Sequence, residues 1–249
     1  MEKFMKQMKY FIAAGLLSSM SVSFAAETAV SEDMTKLLKS RLGGAVQVAD
    51  PIETPVEGIY LTKYGAKIGY LTGNGRYILI GDMIDLKTQE NLTEVSRRSN
   101  YKKVIDTVAV NDLAVYPSFI DETKAVLNVF TDTSCPYCKK LHEEVPDLQK
   151  VGIEVRYFPF PRGGARGPGY QTLQQVWCGD DKAKTMNIAK EVESGSLPSS
   201  DCANASFVDK GYQVGNQLGV TGTPALFTAD GQKIEGYVPS AKLIPMLLR

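Results

Sequence analysis

Cys135 and Cys138 stand two residues apart, separated by Pro136 and Tyr137, where the apolar, β-branched run Ala125 to Phe130 gives way to a stretch that reads as helix, Lys139 to Val145. Two thiols with this spacing at a strand-to-helix turn are suited to making and breaking a disulfide. At the first turn of a helix, unpaired backbone N–H groups and the helix dipole favour a thiolate, so Cys135 is the expected attacking sulfur. Cys138 lies one turn deeper on nearly the same face, close enough to form an S–S bond, and is expected to resolve. Pro136 suits that first turn, where its missing N–H removes no hydrogen bond. Lowering a thiol pKa from ~8.5 to ~5.5 raises the thiolate fraction at neutral pH by about 1.5 decades. A Brønsted slope of ~0.45 removes about 1.4 decades of nucleophilicity in return. The benefit therefore lies in departure: Cys135 becomes a better leaving group and the dithiol form is stabilised.

A second chemical feature is Thr223-Pro224, preceded by Gly222 and followed by the strand-like Ala225 to Thr228. In a fold that places such a loop against a dithiol, a cis X-Pro bond would leave the Thr223 backbone free to pair with an extended chain, and an ordinary trans turn proline is the alternative. Thr223, Pro224, Pro136 and Tyr137 are the expected substrate contacts. Cys178 and Cys202 are too far apart in sequence for a metal-ligand pair. Their expected role is a structural disulfide closing a loop of about 25 residues, worth roughly 3.5 kcal/mol in the chain-entropy model; a four-cysteine zinc site is the rival. No cofactor is expected. His142, the only histidine, reads as a surface or packing residue rather than a tuner of the thiols. Arg162 and Arg166, set among glycines, either touch substrate carbonyls or keep their loop soluble, and the second is the expectation. Asn91-Leu92-Thr93 and Asn204-Ala205-Ser206 match the short glycosylation pattern, which matters only in a eukaryotic secretory route.

The elements around the dithiol run strand (125–131), Cys-Pro-Tyr-Cys, helix (139–149), strand (153–158), a Gly/Pro/Arg-rich loop (159–169) and helices from about 171 to 193. A further helix (207–218), strand (225–228), turn at Asp230-Gly231, strand (233–238) and helix (240–248) follow. A β-α-β half and a β-β-α half separated by a helical insertion is the thioredoxin order. Ahead of it, Ser31 to Leu42 reads as a helix capped by Ser31, with Met34, Leu37, Leu38 and Leu42 on its apolar stripe and Gly43-Gly44 as its stop. Residues 58–62, 67–72 and 76–80 read as strands, the last two joined by the turn Gly73-Asn74-Gly75. One helix on so small an antiparallel sheet buries little core and would gain stability by pairing with a second copy. Residues 91–113 carry only a thin stripe of Leu92, Val95, Val104, Ile105 and Val108, which predicts a solvated connecting helix.

Lys3, Lys6 and Lys9 precede the apolar run Tyr10 to Leu17 and then Ser23-Phe24-Ala25, the pattern of a secretory signal peptide cleaved after Ala25. The run is far shorter than the ~20 residues of a spanning helix. The expected mature chain is exported, to a compartment where disulfides persist. The full sequence balances 28 basic against 28 acidic residues; without three Lys and one Glu of the leader, 25 face 27, a net charge of about −2. With no basic block, nucleic acid is not an expected partner. The expected organisation is signal peptide 1–25, N-terminal domain 26–90, linker helix 91–115 and catalytic domain 116–249.

These motifs resemble the bacterial periplasmic disulfide isomerases of the DsbC/DsbG family. The resemblance rests on Phe130-Thr131-Asp132 before the Cys pair, Lys140-Leu141-His142-Glu143 after it, and Arg156-Tyr157-Phe158 leading into Phe160-Pro161-Arg162. Trp177-Cys178, Gln217 to Thr223-Pro224, and Gly81 to Asp85 extend it over the mature chain. It implies a two-domain α+β and α/β protein: a cystatin-like dimerisation domain, a linker helix, and a thioredoxin-like domain with a helical insertion. It further implies a V-shaped homodimer around an uncharged cleft for misfolded disulfide-containing proteins, a Cys178–Cys202 bond, and a Cys135–Cys138 pair kept reduced by a membrane reductase of the DsbD type. Pro136 and Lys139 depart from the glycine and histidine common in DsbC members. Isomerisation, with the pair reduced at rest, is the expected activity. A net dithiol oxidase and a chaperone-type binding module are the alternatives.

Overall fold

The computed structural model describes residues 34–41 and 48–249, which divide into two compact units. The predicted signal peptide, the Ser31 cap, Leu42 and the Gly43-Gly44 stop lie outside the described residues. Among the described residues no helix is long and apolar enough to cross a membrane.

The N-terminal unit sets helix α1 (34–41) beside a four-stranded sheet in the order β1 (Ile52–Glu53), β2 (Ile59–Tyr64), β3 (Lys67–Thr72), β4 (Ile78–Leu79). Met34 and Leu38 of the expected stripe are buried with Leu61, Tyr70 and Leu71, whereas Leu37 faces outward. The predicted turn joins β3 to β4, with Tyr70 opposite Leu79 and Leu71 opposite Ile78. Asn74 holds it by accepting from the Thr72 hydroxyl at 2.6 Å and from the Arg76 N–H at 3.0 Å. Gly75 suits this turn because its φ is +65°, and a Cβ there would also sit a tight 3.3 Å from Cγ of Met34.

The C-terminal unit holds a short antiparallel pair, β5 (Ile84–Asp85) with β6 (Glu90–Asn91), and a five-stranded sheet ordered β11 (Lys233–Glu235), β10 (Ala225–Thr228), β8 (Ala125–Thr131), β9 (Ile153–Pro159), β7 (Ala114–Tyr116). β8 and β9 run parallel and the other pairs antiparallel. Alternation along the strands sends Leu127, Val129, Val155, Tyr157 and Leu226 to one core and Phe130, Phe158, Ala225 and Phe227 to the other. The first core is completed by Leu141, Val145, Leu148, Trp177, Met186 and Leu243, and the second by Phe160, Val214 and Leu218.

Three expectations change here. Helix α2 (Leu92–Ile105), capped by the Asn91 side chain on the Glu94 N–H, is not a solvated connector. Tyr101 and Ile105, with Val108 and Leu113 beyond it, are buried in the second core, and Tyr101 packs edge-on against Phe227. Tyr101 was absent from the predicted stripe because an aromatic among Arg97, Arg98, Lys102 and Lys103 does not announce which way it faces. The boundary expected at 116 also falls inside β7, whose pairing with β9 brings residues from Ala114 onward into the sheet. The predicted helix 139–149 is two: α3 (Pro136–Glu143) and α4 (Val145–Lys150), broken at Glu144 because Pro146 has no N–H to continue the ladder.

The insertion between β9 and β10 carries α5 (Tyr170–Cys178) and α6 (Lys182–Ala189), and α7 (Phe207–Gln217) follows it; α8 (Ser240–Leu247) ends the chain. Cys178, at the end of α5, is bonded to Cys202, with Cα atoms 5.8 Å apart. That bond uses two of the four thiols the rival zinc site would need.

Candidate active site

Strand β8 delivers the chain to a tight turn at Asp132, and Cys135 then stands at the N-cap of α3 with Pro136 in its first turn. Both thiols are free. Cys135 and Cys138 are 2% and 1% exposed, while Tyr137 between them is 62% exposed. The expected asymmetry is present in the electrostatics. The Cys135 thiol is held down to about 5, first by a hydrogen bond from Cys138, with Thr223, the backbone N–H of Cys138 and the charge of Arg162 outweighing the opposing effect of burial. Burial and the neighbouring Cys135 sulfur push the Cys138 thiol well up. The first sulfur is thus an anion at neutral pH and the second a proton donor to it.

The Thr223-Pro224 bond is cis, and the Thr223 carbonyl lies 3.2 Å from Sγ of Cys135, which donates to it as a thiol. The Thr223 hydroxyl oxygen is buried and unpartnered, leaving that O–H free to donate when the sulfur ionises. Pro224 is buried behind the loop and Gly222 exposed before it. Tyr137 stacks on Tyr237 with ring centroids 6.1 Å apart, and Lys140 Nζ stands 4.9 Å from the centre of the Tyr237 ring. This leaves an aromatic ledge beside the thiols that the sequence did not disclose, because Tyr237 arrives from the far end of the chain.

Asp132 organises the turn beneath Cys135. Its side chain is buried. Oδ1 accepts from the Ser134 N–H and hydroxyl, both at 2.8 Å, and Oδ2 accepts from the Arg162 N–H at 2.8 Å and Nε at 3.2 Å. Burial disfavours the carboxylate charge, but these four donors hold its pKa below the ordinary value. Gly169 must be glycine here, since a Cβ would lie 2.0 Å from Oδ1 of Asp132. Arg162 is therefore not a loop solubiliser, which corrects the expectation: it clamps Asp132 and adds positive charge near Cys135. Arg166 is exposed.

His142 is a packing residue as expected, though deeply buried. Its Nδ1 lies 3.1 Å from the Tyr157 hydroxyl and its Nε2 3.1 Å from Oδ1 of Asn187. Burial, together with the charge of Lys190, holds the imidazole down to about 4, so it is neutral at physiological pH. Lys139, on the outer side, pairs with Glu191 at 2.5 Å.

Two family models match the chain: a thioredoxin-like domain over residues 118–249 and a disulfide bond isomerase protein N-terminal domain over residues 23–94. Thiol:disulfide interchange protein DsbC of Pasteurella multocida is 34% identical over 93% of this chain and 95% of its own length. The DsbC proteins of Salmonella typhimurium and Escherichia coli K12 are 32% and 29% identical, covering 92% and 94% of this chain and 91% and 93% of their own. Among solved structures, a disulfide interchange protein from Neisseria gonorrhoeae aligns with 57% of this chain and 99% of its own at 25% identity and a TM-score of 0.46. With a dithiol at the mouth of α3 and relatives matched along nearly their whole length, the chain belongs to the DsbC family of thiol:disulfide interchange proteins.

Proposed function

We propose that this protein isomerises non-native disulfides in exported proteins, with Cys135 as the nucleophile and Cys138 as the resolving thiol. One observation carries the reading: a thiolate at a helix N-cap whose neighbour, one turn in, donates a hydrogen bond to it and remains protonated. Cys135 attacks a client disulfide, a mixed disulfide forms, and a client thiol displaces Cys135 after rearrangement. Where no client thiol does so, Cys138 closes the intramolecular disulfide and releases the client reduced. The exposed Tyr137 and the Thr223 backbone, with Pro136 and Pro224 flanking, are the proposed contacts for an extended client segment.

The N-terminal unit, residues 26–90, is the proposed pairing element of a homodimer. The edge strand β4 and its flanks leave Tyr77, Ile78, Leu79 and Ile80 exposed, an apolar row that a second copy would cover. Periplasmic residence is supported by the basic-then-apolar leader read at 1–25 and by the Cys178–Cys202 bond, which needs an oxidising compartment. In such a compartment the Cys135–Cys138 pair needs an electron source, and a membrane reductase of the DsbD type is the proposed one.

Scrambled ribonuclease tests the assignment. Cys135→Ala should abolish recovery of activity while still suppressing aggregation of a cysteine-free client. Unscrambling at the normal rate by this variant would remove Cys135 from the role. Alkylation of protein taken directly from cells should find free thiols at 135 and 138; a fully oxidised pair would identify a net oxidase instead.

A further inference from the structure

Lys190 follows the last residue of α6, 1% exposed, and among the described residues no other lysine or arginine is buried. Taking an ammonium out of water costs several kcal/mol unless negative charge lies close by. Its Nζ donates to the Asp132 carbonyl oxygen at 2.6 Å, the same oxygen that accepts the Cys135 N–H at 3.2 Å. The cation is therefore seated on the turn that carries the dithiol. The Asp132 carboxylate is already taken up by Ser134 and Arg162. Of the groups whose negative charge favours the Lys190 ammonium, the sulfurs of Cys138 and Cys135 come ahead of the Asp132 carboxylate.

We propose that Lys190 is a positioning residue whose buried charge stabilises the thiolate that forms on Cys138 when a mixed disulfide on Cys135 is resolved. The proposal rests on the reading of Cys135 and Cys138 as the exchange pair. In that step Cys138 releases its S–H proton to solvent and its electron pair attacks Sγ of Cys135. The bond between Cys135 and the client sulfur breaks, and the client sulfur leaves with the bonding pair and takes up a proton. One S–S bond forms and one breaks, and two electrons have passed from the dithiol to the client over the full cycle. Burial makes ionisation of Cys138 unfavourable, and the charge of Lys190 works against that penalty, as the thiolate in turn favours the ammonium. The charged and titratable groups facing Lys190 are Cys135 and Cys138 on α3, Asp132 before it, His142 one turn beyond Cys138, and Arg162 after β9. His142 is neutral and Arg162 is bound to Asp132, so neither replaces Lys190 beside Cys138.

Two variants test this, Lys190→Met, which keeps the bulk, and Lys190→Gln, which keeps a donor for the Asp132 carbonyl without the charge. In a glutathione redox titration both should favour the Cys135–Cys138 disulfide by about tenfold more than the parent protein, equivalent to about 30 mV. The half-rate pH for release of a small thiol from a mixed disulfide on Cys135 should rise by about one unit. Changes confined to thermal stability, with potential and pH profile unmoved, would overturn the proposal. So would a Lys190→Gln protein indistinguishable from the parent beside a shifted Lys190→Met, because the hydrogen bond and not the charge would then be responsible. If neither variant folds, the side-chain resonance of Lys190 in the parent protein decides: it should move between dithiol and disulfide forms, and an unchanged resonance would overturn the proposal. A parent protein that forms no mixed disulfide at Cys135 fails the exchange reading itself. A parent that does, with both variants unshifted, fails only the role of Lys190.

Discussion

Replacing Cys138 by alanine removes the hydrogen bond that does most to lower the pKa of Cys135. The backbone N–H at position 138, the Thr223 contact and Arg162 all remain, so the experiment isolates one S–H donor. A hydrogen bond to a charged partner contributes about 1.5–3 kcal/mol, and about 1.4 kcal/mol corresponds to one pKa unit. Cys135 should therefore move from about 5 to about 6–7 in Cys138→Ala. At pH 5 that lowers the thiolate fraction about 5- to 50-fold. The readout is the ultraviolet absorbance of the thiolate, followed from pH 3 to 9 (roughly two units beyond either value). Alkylation rate is a poorer readout, because the less acidic thiolate is also more nucleophilic and the two changes partly cancel. A Cys135 pKa within about half a unit of the parent value would refute the reasoning and leave the helix N-terminus and Arg162 as the source of the depression.

Further outcomes follow from the same geometry. Arg162→Ala strips the Nε donor and the guanidinium charge from the buried Asp132 carboxylate, leaving the backbone N–H in place, and should cost roughly 1–3 kcal/mol in urea unfolding, with a higher Cys135 pKa in the same titration. Cys178→Ser opens the loop closed at Cys202 and should lower stability by about 3.5 kcal/mol on the chain-entropy model, while the Cys135 titration stays where it is. Stability against pH has a defined sign: the Cys135 pKa of about 5 lies below the ordinary 9.0, so the reduced protein gains stability as pH rises from 5 to 9 and loses it as pH falls through 5. His142, lowered from 6.5 to about 4, adds a loss over that lower window in both redox states, so the difference between reduced and oxidised unfolding curves isolates Cys135. A chain beginning at Asn91 keeps α2 and β7 and should fold as a monomer with oxidoreductase activity but poor isomerisation. One beginning at Thr123 uncovers the Phe130, Phe158 and Phe227 face and loses ~1.5–3 kcal/mol for each buried apolar side chain removed, so its unfolding midpoint should collapse.

The longer strands, the dithiol and the Thr223-Pro224 loop are legible because local signals specify them: period-two alternation, a thiol pair at a helix start, an X-Pro after glycine; the edge strands Ile52–Glu53 and Ala114–Tyr116 are too short to show such alternation. The strands Ala225–Thr228 and Ala125–Thr131 match the sequence reading to the residue, and β9 extends one residue beyond it. The break at Pro146 was legible in principle, since a proline cannot donate to the helix ladder, and it was missed because the apolar spacing continues across it. Tyr101 and Lys190 were not legible. Each is an amphipathic or charged side chain whose burial depends on what a distant segment brings, Phe227 in one case and the Asp132 turn in the other. Arg162 lies between: glycines around it suggested a loose loop, and only the buried carboxylate of Asp132, quoted in the motif but given no role, could have indicated that an arginine was needed nearby.

In the proposed mechanism a client meets the sulfur of Cys135. Cys138→Ala incubated with scrambled ribonuclease and mapped by mass spectrometry should accumulate a mixed disulfide on Cys135, with Cys178 and Cys202 still bonded to one another. Absence of any adduct at Cys135, or client sulfur found on Cys178 or Cys202, would contradict it.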